Sequence, residues 1–314
     1  MYSYENYDKV KFEIERRRRE AVAASDRRSE ELAEISDEIR EIDAELAGTG
    51  LLLFKTACSG GDIAPIRERN QALVARRKDI IKSLGYPEDY TEVHYTCPEC
   101  SDTGFIGGTR MCKCFRQELI KATIASSGIG DLIDKQTFDN FDLKWYAGSP
   151  AEERMTANLA AAKSYAKNFP KKRGSLLLIG KTGTGKTHIS TAIAREVISQ
   201  GFDVIYDSAQ NIVSDFEADK FRSGYGTEPK SAKYLECDLL IIDDLGTEFS
   251  SSFTVSCLYN LINTRRNRAQ ATIISTNLTA EELAAKYEDR IYSRIVGSGT
   301  RILVFEGKDH RIFG

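Results

Sequence analysis

The octapeptide Gly180-Lys181-Thr182-Gly183-Thr184-Gly185-Lys186-Thr187 has the spacing G-x-x-x-x-G-K-[ST], and each residue type in it suits a bound phosphate chain. Glycines let a backbone wrap closely around phosphate oxygens, and the amides at the start of a following helix add positive potential. Lys186 can reach terminal phosphates as a point charge, the Thr187 hydroxyl can ligate Mg²⁺, and His188 adjoins this candidate set. A pair of carboxylates, Asp243 and Asp244, ends the apolar run Leu239-Leu240-Ile241-Ile242. In that place Asp243 holds magnesium, directly or through water, and Asp244 orients or activates an attacking water. The alternative is that both acids cap a helix starting near Ser251. Asn277, after the apolar run 271–275, either positions that water or caps a helix over 279–285. Arg290 and Arg294 lie four apart and share a helix face. They read as arginines aimed at a neighbouring subunit's terminal phosphate, or as salt-bridge partners of Glu288 and Asp289.

Four cysteines form a second constellation, C-x2-C-x11-C-x-C, at Cys97, Cys100, Cys112 and Cys114. Four thiolates satisfy tetrahedral zinc and leave no position for water, which makes the expected metal structural Zn²⁺. Cys58, Cys237 and Cys257 read as ordinary free thiols.

The elements that must position these groups follow from pattern. Residues 175–179 form a short apolar strand that runs into the glycine-rich loop, and HISTAIAREVISQ after it is helical, ending at Gly201. From Gly174 onward short apolar strands alternate with helices, the pattern of an α/β fold with a parallel sheet. Upstream, Leu32, Ile35, Ile39, Ile42 and Leu46 make an apolar seam, weaker before it with Ile14 and Ala21 in phase but Arg28 on it, and a second seam runs through Ile63, Ile66, Asn70, Leu73, Arg77, Ile80 and Leu84. Gly48, Gly50, Gly60 and Gly61 bracket an expected apolar loop between them, so the reading is an antiparallel helical hairpin. Such a hairpin either docks a partner protein or packs on the chain itself. Arg16 to Arg19 read as a solvated face. The expected division is 1–90 helical hairpin or coiled coil, 91–120 zinc module, 121–150 linker and 151–314 ATPase domain. The linker aromatics Phe138, Phe141, Trp145 and Tyr146 either pack in a core or lie beside a bound base.

Composition narrows the partners without naming them. The chain has 314 residues, 41% hydrophobic and 29% charged, with 44 basic against 47 acidic residues and a formal net charge of -3. No overall basic footprint argues for nucleic acid, so any such contact needs a local patch. Lys220, Arg222, Lys230 and Lys233, near Phe221, Tyr225 and Tyr234, read as such a patch or as a plain helical insert. No stretch of about 18 apolar residues appears, and no signal segment; a cytoplasmic, membrane-free protein is expected.

Taken together, GKTGTGKTH, LLIIDDLGTE, IISTN and EDRIYSRI with a following FEGKDHR resemble the AAA+ family, and within it the DnaC/DnaI-type replicative helicase loaders and their IstB-like relatives. The resemblance covers about residues 138–314. YTCPECSDTGFIGGTRMCKCFRQ is similar to the cysteine-rich segment before the ATPase core of loader-like proteins. It implies an ATPase with Walker A at Gly180 to Thr187, Walker B at Asp243 and Asp244, sensor 1 at Asn277 and an arginine finger within the Arg290/Arg294 pair. It further implies ATP and Mg²⁺ as cofactors, self-association through the AAA+ domain, binding to single-stranded DNA, and an N-terminal region that contacts a hexameric replicative helicase. Two departures stand out. Asp244 stands where many AAA+ proteins have Glu, which implies slow hydrolysis. The stretch after Thr187 is too short for a C-terminal helical lid and its sensor arginine, with Arg311 a possible substitute.

Overall fold

A computed structural model of the chain describes residues 3–169, 171–220, 229–297, 299–307 and 309. The chain divides into two compact units, one of residues 11–115 and one of residues 1–10 with 116–314.

The smaller unit is built on long helices. Helix α1 spans Tyr4–Ile35, α2 Asp37–Cys58 and α3 Ala64–Ser83. Ser36 separates the first two: its backbone is extended, and its hydroxyl accepts a hydrogen bond from the Ile39 amide, capping α2. Leu32, Ile39, Ile42, Leu73, Ile80 and Ile81 form a buried cluster against which Leu46, Tyr86 and Tyr90 pack. Three ion pairs cross between α2 and α3, of which Arg77–Asp43 at 2.6 Å is the least exposed. Arg28 turns off the apolar seam to donate to the carbonyls of Tyr90, at 2.5 Å, and Glu92, at 2.8 Å. Arg16 stays on a solvated face, paired with Glu13 and Glu20.

The expected glycine-bracketed loop is a correction. Helix α2 continues through Gly48 and Gly50 to Cys58, and the chain turns only at residues 59–63. Each mid-helix glycine costs about 1 kcal/mol, yet Ala, Leu and Lys around them favour a helix. The buried Thr49 also adds a hydrogen bond to the Leu46 carbonyl, 2.7 Å.

A hairpin of β1 (Phe105–Ile106) and β2 (Arg110–Met111) follows, then α4 (Lys113–Ser126) and the short α5 (Leu132–Lys135). A 3-10 turn at Leu143–Tyr146 leads to α6 (Glu152–Asn168). The rest of the larger unit runs β3 (Ser175–Gly180), α7 (Lys186–Ser199), β4 (Val204–Ser208), α8 (Ala209–Lys220), α9 (Ala232–Glu236) and β5 (Leu239–Leu245). It closes with α10 (Ser252–Asn267), β6 (Ala271–Thr276), α11 (Ala280–Val296) and β7 (Thr300–Phe305).

Among the described residues, five of these strands form one parallel sheet in the order β4-β5-β6-β3-β7. Alternate residues of each strand feed opposite layers. Leu176 and Leu178 join Ile189, Ile193 and Phe169 on one face, while Leu177 joins Ile212, Leu258 and Tyr287 on the other. A strand covered on both faces needs a continuous apolar run, which is why β3 reads SLLLI and β5 LLII. Each fully buried Leu or Ile contributes about 1.5–3 kcal/mol. Strand β6 lies between β3 and β5, so the strand ending near Asn277 separates the glycine-rich loop from the acid pair. All three open at the same sheet edge, where ligands of parallel sheets bind.

Candidate nucleotide site and cysteine module

The glycine-rich loop joins β3 to α7 in the expected way. Gly185 precedes the helix in the left-handed conformation, φ 88°, and a Cβ there would come within 2.8 Å of the Phe141 ring and 3.1 Å of the Tyr146 hydroxyl. Both the backbone angle and the close approach of two aromatics exclude a larger residue. Behind the loop, the buried Lys186 ammonium donates to the carbonyls of Gly180, 2.6 Å, and Lys181, 2.8 Å, and to the Asn277 side-chain oxygen, 2.8 Å. The Asn277 amide nitrogen in turn donates to Asp244 at 3.2 Å. An amide with its oxygen toward an ammonium and its nitrogen toward a carboxylate has only one sensible orientation. Lysine, asparagine and the second acid thus form one relay. Helix capping does not occupy Asn277: Thr279 caps α11, in a reciprocal capping box with Glu282.

The first acid is held differently. Asp243 accepts hydrogen bonds from the hydroxyls of Tyr206 and Ser275, one on each carboxylate oxygen. The Tyr206 hydroxyl also contacts the Thr187 side chain, so Thr187 and Asp243 flank one hydroxyl. Burial, and then the adjacent Asp243 charge, push the Tyr206 phenol far above its ordinary range, so it stays a donor. A hydroxyl beside a carboxylate is the oxygen-rich donor set that Mg²⁺ takes. Ser275 does double duty, since its oxygen accepts the Asp244 amide at 3.0 Å. Asp244 itself has φ 51°, and the pairing of β5 with β6 shifts register between Ile242 and Leu245. The bulge turns Asp244 into the cavity instead of continuing the alternation of the strand. Aspartate tolerates this left-handed backbone better than most residues.

Asp244, Asn277, Lys186, Thr187 and His188 line a cavity of about 270 Å³. Its other wall is the segment before α6, with Gln136, Asn140, Phe141, Trp145 and Tyr146. Phe141 and Tyr146 are buried and stacked at 6.1 Å, and the Tyr146 hydroxyl donates to the Thr184 carbonyl at 3.1 Å. Burial raises the Tyr146 phenol to about 12. Trp145 is half exposed, and Phe138 packs against the core instead of lining the cavity. His188 Nε2 faces two acceptors, the Thr137 carbonyl at 2.8 Å and Asn140 Oδ1 at 3.0 Å. Burial lowers its pKa, with the Thr137 carbonyl opposing. The neutral ring carrying its proton on Nε2 fits both facts.

Sequence reasoning singled out Asp243 and Asp244 but missed Tyr206 and Ser275, which hold them in place. Ser275 stands next to the end of an apolar strand, before Thr276, and nothing local marks it or Tyr206 as a partner of the acids. Arg294 is not brought to this cavity. It lines a separate cleft with Arg173 and Arg266, near the starts of β3 and β7. The Arg290 side chain, like Arg311, Phe221, Arg222 and Tyr225, lies outside the described residues. Of the remaining basic and aromatic residues near α8 and α9, Lys220 lies 4.9 Å over the Phe253 ring and Lys233 pairs with Asp215 at 3.0 Å. Tyr234 is fully buried, its hydroxyl donating to Asp207 and Asp215, and so cannot stack on a base.

In the smaller unit the four cysteine sulfurs lie within 4.8 Å of one another, with Cys97–Cys112 at 3.8 Å and Cys100–Cys114 at 3.5 Å. Zinc–sulfur bonds of about 2.3 Å in a tetrahedron place sulfurs about 3.8 Å apart, close to the two separations here, so these four thiols are a donor set that could hold zinc. Asp102 accepts the amides of Thr96, 2.8 Å, and Cys97, 2.9 Å, fixing the first turn. At Gly104, φ 78°, any Cβ would strike the buried Phe115 ring, which packs under the module.

A family model described as IstB-like ATP binding protein matches residues 124–296, more than half of the chain. The chain belongs to the IstB-like ATP-binding family. The matched residues cover strands β3 to β6 of the sheet, the glycine-rich loop, both acids and Asn277, and the AAA+ and loader kinship read from the sequence is borne out. The replicative helicase loader DnaC of Escherichia coli strain K12 is 27% identical over 193 residues, 61% of this chain and 76% of that protein. The uncharacterized protein YdaV of the same strain is 26% identical over 196 residues, 62% and 76% of the two chains. A crystal structure of the DnaC helicase loader aligns with a TM-score of 0.47 and 22% identity, over 56% of this chain and all of that one. No described helix of this IstB-like chain is long and apolar enough to cross a membrane.

Proposed function

We propose that the chain hydrolyses ATP slowly and uses it to load a hexameric replicative helicase onto single-stranded DNA in the cytoplasm. The observation that carries this reading is the Lys186–Asn277–Asp244 relay within one cavity of an IstB-like core. In hydrolysis a water attacks the terminal phosphorus and the bond to the bridging oxygen of ADP breaks. Asp244 accepts the water's proton, Asn277 holds the water between carboxylate and phosphate, and Lys186 balances charge on the transferred group. Thr187 and Asp243 would hold Mg²⁺, which supplies charge neutralisation for the phosphates. Phe141 and Tyr146 support the wall of the cavity on the side where the base would lie.

The arginine finger, Arg294 or Arg290, acts on a neighbour's nucleotide, so turnover rises on self-association. Four cysteines hold a structural zinc in a module at 91–120, the helical arm at 1–90 meets the helicase, and 121–150 links them to the ATPase domain at 151–314. The departure at Asp244, whose carboxylate reaches less far than that of Glu, supports slow turnover.

A second reading, a helper ATPase for a transposase, draws on the family match itself. Fluorescence anisotropy of a labelled single strand, with ATP, ADP or a non-hydrolysable analogue, tests the first. Binding that requires ATP and disappears in Lys186→Ala supports it; binding indifferent to nucleotide removes the loading step. Immobilised full-length protein retaining a transposase and no helicase would favour the second reading, and nucleotide binding without turnover would leave only an adaptor.

A further inference from the structure

Helix α2 gives one face to α3 and leaves the opposite one open. Ile39, Ile42 and Leu46 pack with Leu73, Ile80 and Ile81, and the ion pairs from Glu38, Asp43 and Glu45 to arginines of α3 flank that seam. On the other side Glu41, Ala44, Gly48, Leu52 and Lys55 follow at steps of three, four, four and three, so they share one stripe. All five are exposed, Leu52 by 50%, and Phe54 beside them is exposed by 69%. Glu41 and Lys55 have no salt-bridge partner among the described residues. A Cβ built on Gly48 would meet nothing within 4 Å. No neighbour in the hairpin therefore asks for glycine there, although it costs a helix interior about 1 kcal/mol relative to alanine. A second helix laid close against the stripe would ask for it, because the side chains at a helix contact set how closely the two axes approach.

The stripe is complementary to its own reverse. Turned end for end about Gly48, it sets Gly48 on Gly48, Leu52 against Ala44 and Lys55 against Glu41. Large meets small and base meets acid, each of them twice, as a two-fold contact between identical surfaces requires. We propose that a second copy of this chain docks on this face, α2 against α2 and antiparallel, with the two-fold axis at Gly48. The charge order selects the direction, because a parallel pair would set Glu41 against Glu41 and Lys55 against Lys55. From Glu41 to Lys55 the stripe is about 21 Å long. A single helix pair of that length buries less than about 1,200 Å², the range of weak and reversible association. The pairing uses no residue of the nucleotide cavity. It goes beyond the functional reading above, in which copies meet through the ATPase domain, and it stands without that reading.

Sedimentation velocity of the full-length protein without nucleotide, over about 1–100 µM, tests the assignment. Wild type and Lys186→Ala should both pass from monomer to dimer across that range, which separates this contact from any ATP-driven assembly. Gly48→Leu should stay monomeric with an unfolding temperature no lower than wild type, since leucine favours a helix and the space around position 48 is open. Association lost without stability lost is a result that a merely structural glycine would not give. Lys55→Glu should weaken pairing about tenfold by setting acid against acid at two places, and Glu41→Lys/Lys55→Glu should restore it. A wild type that is monomeric throughout, or that associates only with ATP, would overturn the proposal, as would dimers indifferent to Gly48→Leu. Failure of the charge exchange to restore pairing would overturn the antiparallel register. Gly48→Leu that left self-association intact but abolished retention of a helicase ring would assign the face to that partner and overturn the choice of a second copy.

Discussion

Replacing Ser275 by alanine should damage the site out of proportion to the one oxygen removed. That oxygen is fully buried, donates to Asp243 and accepts the Asp244 amide at 3.0 Å. A hydrogen bond to a charged group is worth about 1.5–3 kcal/mol, and an orphaned buried amide costs about 1–3 kcal/mol. Water entering from the adjoining cavity recovers part of this, so Ser275→Ala should lower unfolding stability by about 2–3 kcal/mol. Function should suffer more. Asp244 sits on a left-handed bulge that the Ser275 hydroxyl fastens to β6, and a shift of about 1 Å in a catalytic group costs about 100-fold in rate. Urea unfolding gives the first quantity and steady-state phosphate release the second, with ATP binding measured alongside. The double variant Ser275→Ala/Tyr206→Phe should cost less than the sum of the singles, because both hydroxyls serve one carboxylate. A Ser275→Ala protein with turnover near wild type and stability within about 0.5 kcal/mol would refute the claim that this hydroxyl organises the acid pair.

Two further outcomes follow from other parts of the chain. Burial, helped by neighbouring Asp238, raises the Asp203 carboxyl to about 6. The unfolded chain releases that proton near pH 4, so the folded state binds more protons between about 4 and 6 and loses stability as pH rises through that window. Asp203→Asn should match wild type near pH 4 and exceed it by about 2–3 kcal/mol above pH 7; a gap that shrinks with rising pH would show the opposite shift. Full-length protein purified without chelator should carry about one zinc per chain by elemental analysis, and Cys112→Ser should carry none. Metal-free wild type with an unchanged proteolysis pattern around 91–120 would mean that the thiols need no ion.

The nucleotide site was legible wherever chemistry and backbone signal coincide along the chain. Glycines before Lys186, acids ending an apolar run and an asparagine ending another each announce both a strand end and a function. Tyr206 and Ser275 were not legible as partners, because nothing local says that β6 lies between β3 and β5 or that β4 flanks β5. The cysteine set was readable from spacing alone, since four thiols within 18 positions leave little else to be. Gly48 and Gly50 misled because local propensity marks turns only when the flanking sequence agrees, and here strong helix formers on both sides carried α2 onward. Tyr234 looked available for stacking because its neighbours are basic; only the tertiary placement of Asp207 and Asp215 shows that its hydroxyl is already engaged. Of the aromatics of 138–146, Phe138 packs against the core, Phe141 and Tyr146 belong to that same buried cluster while also lining the cavity, and Trp145 lines the cavity half exposed.

Just beyond the acid pair, the loop holds a buried carboxylate, Glu248, that accepts the Gly246 amide at 2.9 Å and the Tyr287 hydroxyl. Lys286 donates to the Gly246 carbonyl at 2.5 Å and lies 3.5 Å from Glu248 itself. Mechanically, α11 is a stiff rod clamped near its middle to the loop that leaves the catalytic strand. From the capped start at Thr279 to Arg294 the rod is about 22 Å long. A tilt of about 3° about its capped start therefore swings Arg294 by about 1 Å. Any rearrangement of the acid loop that drags Glu248 is thereby geared, through the helix, into a displacement at the far edge of the sheet.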